Sequence, residues 1–148
     1  MIQYVLTISM AFSKKHPQAG LPTFFATKIE DKVKLHTLRG NYKLWAKRFK
    51  KIDKGEAFLS VRCWTGKPYN SKQTELFKFF KKDGIGIEKI LFDDWFYTVK
   101  IGDKRFTCDE VAKNDGLSTE DLEHWFKGYN LSEPMVIIHF TPFRYSKK

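Results

Sequence analysis

Apolar residues along the chain recur in short bursts, and their spacing switches between two periods. Alternation of apolar and polar positions marks strands, and recurrence every three to four positions marks helices. "QYVLTISM" (3–10) is β-rich and predicts the first strand. "SKKHPQAGLP" follows as a loop punctuated by His16-Pro17 and Gly20. "PTFFATKIED" (22–31) predicts a short helix, with Thr23 as its N-cap and Phe25 and Ile29 one turn apart on one face. "NYKLWAKRFKKIDKG" (41–55) predicts an amphipathic helix: Trp45, Phe49 and Ile52 share a face, lysines take the rest, and Gly55 stops it.

The middle of the chain reads as strands. "EAFLSVRCW" and "KQTELFKFF" flank the loop "TGKPYNS". After the turn "KKDGIG" come "GIEKILF" and "WFYTVKI", and "GDK" turns tightly into "RFT". Two short helices follow. Thr107 to Glu110 has capping-box spacing, and "LSTEDLEHWF" starts at Ser118 with Leu122, Trp125 and Phe126 on its buried side. "PMVIIHF" closes the series as an apolar strand central to a sheet. The pattern predicts roughly six or seven strands and three or four short helices. Strands cluster in the middle and the last returns after a helical excursion. That order favours an α+β fold, a mixed β-barrel with short helices packed around it, over a βαβ sandwich.

At 148 residues the chain fits a single domain, 1–148, and at 42% apolar it can bury a real core. The net charge of +10 attracts polyanions, nucleic acid first, or serves solubility alone. Cys63 and Cys108 are far apart and lack zinc spacing, so buried free thiols are expected. No run approaches the ~20 apolar residues of a membrane span, and "MIQYVLTISMAF" lacks the basic start of a signal peptide. A cytoplasmic monomer with no membrane association is expected. No phosphate-binding loop, dinucleotide fingerprint or zinc-protease pattern is present, and no cofactor or metal is expected.

The densest candidate chemistry lies in "KVKLHTLR" (32–39). Leu35 and Leu38 are expected to turn inward. On an extended chain Lys34 and His36 face one side, Thr37 and Arg39 the other. A bend is needed to bring Lys34 beside Thr37; without one the segment is an exposed strand with basic decoration. His36 fits either a base-stacking or acid–base group or a structural histidine. Arg39 has the geometry to hold a carbonyl oxygen or phosphate bidentately. Lys43, Lys47, Arg48 and Lys67 supply a basic field. Trp64 and Tyr69 flank the turn that holds Lys67; with Trp45 and Trp95 they are the aromatics lying near cations, of which Trp45 fits the core. Asp115 in "KNDGLS" precedes a glycine and fits a turn or cap.

Taken in order, "PTFFATKIED", "KLHTLR", "KGEAFLSV" and "VAKNDGLSTEDLEHWF" before "VIIHF" resemble the ASCH family of the PUA-like superfamily. The likeness covers the first third and the last quarter of the chain, and the middle by strand pattern. It implies a PUA-like β-barrel with a cleft beside "KLHTLR" that binds RNA or a modified nucleoside. Small bacterial members hydrolyse the amide of N4-acetylcytidine with a lysine, a threonine and a glutamate. The motif sets these on Lys34, Thr37 and Asp115, the last a methylene shorter than the family's glutamate. A catalytic group displaced by about 1 Å can cost about 100-fold in rate. "WAKRFKKIDK" is also longer than the family's equivalent. The expected function is therefore RNA or nucleobase binding by Lys34, His36, Thr37, Arg39, Lys43, Lys47, Arg48, Trp64, Lys67 and Tyr69. An amidohydrolase built on Lys34, Thr37 and Asp115 is the alternative, and a basic protein-interaction module is the third reading.

Overall fold

The structure is a computed structural model that describes residues 1–94 and 98–146, with the backbone alone at 93 and 94. Trp95, and the start of the strand expected at 95, lie outside the described residues. The chain order is β1 (Ile2–Thr7), α1 (Phe25–Glu30), β2 (His36–Arg39), α2 (Tyr42–Asp53), β3 (Ala57–Trp64), β4 (Gln73–Phe79), β5 (Gly86–Asp94), β6 (Thr98–Ile101), β7 (Lys104–Thr107), α3 (Cys108–Asn114), α4 (Thr119–Trp125) and β8 (Met135–His139). This is a mixed α+β fold. The hydrogen-bonded ladders form two sheets, of three strands (β1-β3-β4) and five (β2-β8-β5-β6-β7), and no closed barrel among the described residues. β1 and β3 run parallel; the other pairs are antiparallel.

Local chemistry accounts for most boundaries. The Asn41 carboxamide accepts from the Leu44 amide at 3.2 Å and starts α2. Thr107 and Ser118 do the same for α3 and α4, accepting from Glu110 and Asp121. Thr23 stands one place further out than expected. Phe24 is the N-cap of α1, in the left-handed region at φ 59, while the Thr23 hydroxyl accepts from the Phe25 amide and donates to the Ser9 carbonyl.

Strand β8 carries the centre of the molecule. Its even residues Val136 and Ile138, with Phe140 beyond, join a first core that includes Leu6, Phe25, Trp45, Phe49, Ile52, Leu59 and Val61. Its odd residues Met135 and Ile137 join a second core with Leu38, Ile90, Val99, Val111, Leu122 and Phe126. Both faces are covered, which is why "MVIIH" reads as an unbroken apolar run rather than an alternation. Cys63 and Cys108 are buried free thiols. No helix among the described residues is long and apolar enough to cross a membrane.

Ile138 is fully buried between β2 and β5. Ile138→Ala is expected to lower unfolding stability by about 2–5 kcal/mol, measured by urea denaturation, because the site cannot collapse from either side.

Candidate functional site

The segment 32–39 bends before it becomes a strand. Lys32 occupies the left-handed region at φ 58, and the Val33 and Lys34 amides both donate to the Lys28 carbonyl at the end of α1. Leu35 then donates to the Asn114 carbonyl at 2.7 Å and accepts from the Phe140 amide at 2.9 Å. These two bonds tie the segment to the end of α3 and to the end of β8. Only at His36 does regular pairing with β8 begin. Cross-strand partners share a face, so Thr37, opposite Ile138, points toward the first core, and His36, opposite His139, toward the second. Lys34, still in the bend, reaches the same side as Thr37. Leu35 is only half-buried while Lys34, His36 and Thr37 are buried, which inverts the expectation for Leu35.

Lys34, Thr37, Arg39 and Asp115 meet in a cavity of about 310 Å³. The Lys34 side chain is 1% exposed. Its Nζ donates to the Asp115 main-chain oxygen at 2.8 Å, stands 3.4 Å from Asp115 Oδ2, and lies 4.2 Å from the centroid of the Phe25 ring. Burial pulls its ammonium down from 10.5 to about 8. Asp115 opposes the fall, while Arg39 and Lys28 add to it. Asp115 ends α3, and its Oδ1 lies 3.0 Å from His36 Nδ1. Gly116 follows at φ +80. A Cβ there would come within 3.2 Å of Lys34 Cβ and of Lys28 Cδ, so the close approach of the two segments requires glycine.

Arg39 braces the opposite bank. Nη1 donates to Thr37 Oγ1 at 2.7 Å and to the Leu38 carbonyl at 2.8 Å, and Nη2 donates to the Thr7 carbonyl at 2.6 Å. Burial lowers the proton affinity of its guanidinium, with Asp115 opposing. Thr37 thus has an oxygen that accepts from a cation and a hydroxyl proton left for a ligand. No hydrogen bond joins Lys34 to Thr37, although both line the cavity.

The walls are aromatic: Phe25 from α1, Trp125 and Phe126 from the end of α4, Tyr129 just after it, and Tyr69 from the β3–β4 loop. Tyr69 is 86% exposed and Tyr129 54%, so both stand at the mouth. Trp125 packs against the rings of Phe12 and His16, and against Phe25 beside it in the wall. His16 is itself buried, with Nδ1 accepting from the Gln18 amide and Nε2 against the Asp121 carbonyl.

Of the residues singled out in the sequence, Lys34, Thr37, Arg39, Asp115 and Tyr69 line the cavity. His36 does not. Strand alternation buries it completely on the far side of Asp115, and its Nε2 meets the Tyr145 hydroxyl at 2.7 Å. Lys43, Lys47 and Lys67 are exposed and stand off the wall. Arg48 lies over the rings of Tyr4 and Trp45, and Trp64 stands behind Tyr69 with ring centroids 5.2 Å apart. Trp45 belongs to the first core. Phe25, Trp125 and Phe126 had been read as core alone, and Tyr129 was missed. The available signal was the cluster of three aromatics in "HWFKGYN", running past the end of a helix into a glycine loop. Among the described residues no group of three or more His, Cys, Asp or Glu could hold a metal ion.

Comparison with known proteins returns no match: no family model, no curated protein and no solved structure resembles the chain closely enough to count.

The depressed Lys34 ammonium has a signed consequence. Unfolded, the amine holds its proton up to about 10.5; folded, it releases it near 8. Between these values the unfolded chain binds more protons, so this group's contribution to stability rises with pH and is lost as pH falls through about 8. The stability difference between wild type and Lys34→Met is expected to move in favour of wild type from pH 8 to 10.5, measured by denaturant unfolding at each pH; a pH-independent difference would contradict the burial of a titrating amine.

Proposed function

We propose that the chain is a PUA-like domain that binds a nucleobase, presented by RNA or by a modified nucleoside, in the cavity between 34–39 and Asp115. In this reading the two sheets, sharing the first core, are the halves of a PUA-like barrel. The observation that carries the proposal is the composition of the cavity. A polar floor of buried Lys34, Asp115 and Thr37 with half-buried Arg39 lies under walls of Phe25, Trp125, Phe126, Tyr129 and Tyr69. Flat aromatic walls suit a planar ring. A floor offering ammonium and hydroxyl protons beside a carboxylate suits the mixed donor and acceptor edge of a base. A volume of about 310 Å³ is at the lower end of small-ligand sites and accommodates a base with its sugar at the mouth. Exposed Lys43, Lys47 and Lys67 add a positive field for phosphates.

Titration with nucleosides and short RNAs at low salt tests this. Binding is expected, stronger for RNA and falling steeply as salt rises, because phosphate contacts release counterions. Trp125→Ala or Tyr129→Ala is expected to weaken binding by about 5- to 150-fold, the worth of one stacked base. Absence of binding by either ligand class at low salt would overturn the proposal.

One feature favours a second reading, hydrolysis of an N-acylated cytidine. Lys34, lowered to about 8, shares the cavity with the Thr37 hydroxyl. Thr37 Oγ1 would attack the acyl carbon while unprotonated Lys34 takes its proton. The base amine would leave carrying a proton, and water would then release the acyl group from Thr37. Thr37→Ala is expected to abolish acetate release from N4-acetylcytidine with the melting temperature little changed. Wild-type protein that releases no acetate would remove this reading for that substrate.

A further inference from the structure

The polar floor continues behind the cavity into the last residues described. Tyr145 lies beyond β8 and is 5% exposed. Its hydroxyl is 2.7 Å from His36 Nε2 and accepts from Asn114 Nδ2 at 3.0 Å. Burial pushes the phenol well above its usual range, so the hydroxyl keeps its proton. With Asn114 donating to the phenol oxygen, the phenol proton is directed to His36 Nε2. The imidazole proton is then on Nδ1, where it donates to Asp115 Oδ1 at 3.0 Å. Asp115 Oδ2 is left facing Lys34 at 3.4 Å. A phenol, an imidazole, a carboxylate and an ammonium form one directed chain, and the phenol enters it from the other end of the polypeptide.

The segment that carries Tyr145 is strapped down independently of the cavity. Glu88 accepts from the Tyr145 amide at 2.8 Å, from the Ser146 amide and hydroxyl, and from His139 Nε2 at 2.8 Å. Burial works against the Glu88 carboxylate, yet these bonds outweigh it and hold the group down to about 2. Arg144 Nη2 donates to the Gly84 carbonyl at 2.8 Å. Tyr145 is therefore held in place by contacts that have nothing to do with His36.

We propose that Tyr145 and His36 are positioning residues for the cavity: the phenol anchors the imidazole so that its Nδ1–H stays on Asp115 Oδ1, and this orients the carboxylate that faces Lys34. The segment after β8 thereby supports a pocket that Tyr145 does not line. The charged groups that face Lys34 are Asp115 at the end of α3, Arg39 from β2 and Lys28 from α1. Those around the imidazole chain are His139 from β8, Glu88 from β5, Glu110 from α3 and Arg144 beside Tyr145. Only Tyr145 bonds His36 Nε2 among the described residues. Loss of the phenol leaves His36 Nε2 without its partner and the ring free to turn, so the Nδ1–H bond to Asp115 Oδ1 lengthens. Asp115 then keeps more of its negative charge against Lys34 and favours the ammonium.

The inference concerns the same pocket as the proposed function but is read on the ligand-free protein, so the two fail separately. Lysine Cε resonances are followed against pH by NMR, with Lys34 identified as the signal lost in Lys34→Arg. Tyr145→Phe, which keeps the ring, is expected to raise the Lys34 midpoint by about one unit. His36→Leu is expected to do the same. His36→Asn, whose amide nitrogen takes the place of Nδ1 and still donates to Asp115, is expected to stay at the wild-type midpoint. A folded Tyr145→Phe protein with an unmoved midpoint overturns the proposal. Should that variant fail to fold, equal midpoints in His36→Leu and His36→Asn overturn it instead.

Discussion

The ion pair of Lys34 with Asp115 forms where two segments about eighty residues apart in sequence are forced together away from water. Removing either charge alone would strand the other in a medium that solvates it poorly, and a buried charge is tolerated only when paired and hydrogen-bonded. The surroundings answer that demand. Asp115 has the His36 imidazole on one oxygen and Lys34 near the other, and Lys34 has a main-chain carbonyl and the face of Phe25. Gly116, at φ +80, leaves room for the Lys28 and Lys34 side chains to pack against it. A bend before β2 puts the amine on the cavity side. The compromise is visible in the amine itself, which burial brings down to about 8 despite the carboxylate.

The same constraint joins the two cores. His36 and Thr37 are neighbours on one short strand, yet one serves the network behind Asp115 and the other the cavity in front of it. β8 holds the strand in place, with alternate residues committed to opposite cores. A slip of one residue would exchange His36 for Thr37 and dismantle both networks at once. The register is fixed because His36 and Thr37 have partners on opposite faces, and the bonds of Leu35 to Asn114 and Phe140 fix the entry to β2.

Much of this was legible in the chain because it is local. Trp45, Phe49 and Ile52 face one core because their spacing follows the helix period; Thr107, three residues before Glu110, and Ser118, at the head of its apolar helix pattern, cap the helices expected of them. "MVIIH" read as a central strand for the same reason. The grouping of Lys34 and Thr37 with Asp115 was implied only by the resemblance to the ASCH family, since Asp115 by itself reads as a turn or cap; the bend that brings Lys34 to the side of Thr37 is present. What escaped was non-local. The parallel pairing of β1 with β3 and the division into two sheets depend on contacts that no window of sequence contains. The role of His36 was not legible because its partner Tyr145 lies 109 residues away. The aromatic walls escaped because α1, the end of α4 and the β3–β4 loop each contribute one or two rings, and each ring alone fits a core.

A double-mutant cycle on unfolding stability, with Lys34→Met, Asp115→Asn and the pair combined, tests the dependence on this ion pair most directly. Asparagine keeps an acceptor for His36 and removes only the charge. The account predicts strong non-additivity: each single change strands one buried charge, and the double change loses less than the two singles summed, by about 0.5–3 kcal/mol. Losses that add to within about 0.3–0.5 kcal/mol would show that the two groups do not depend on each other, and would contradict the account.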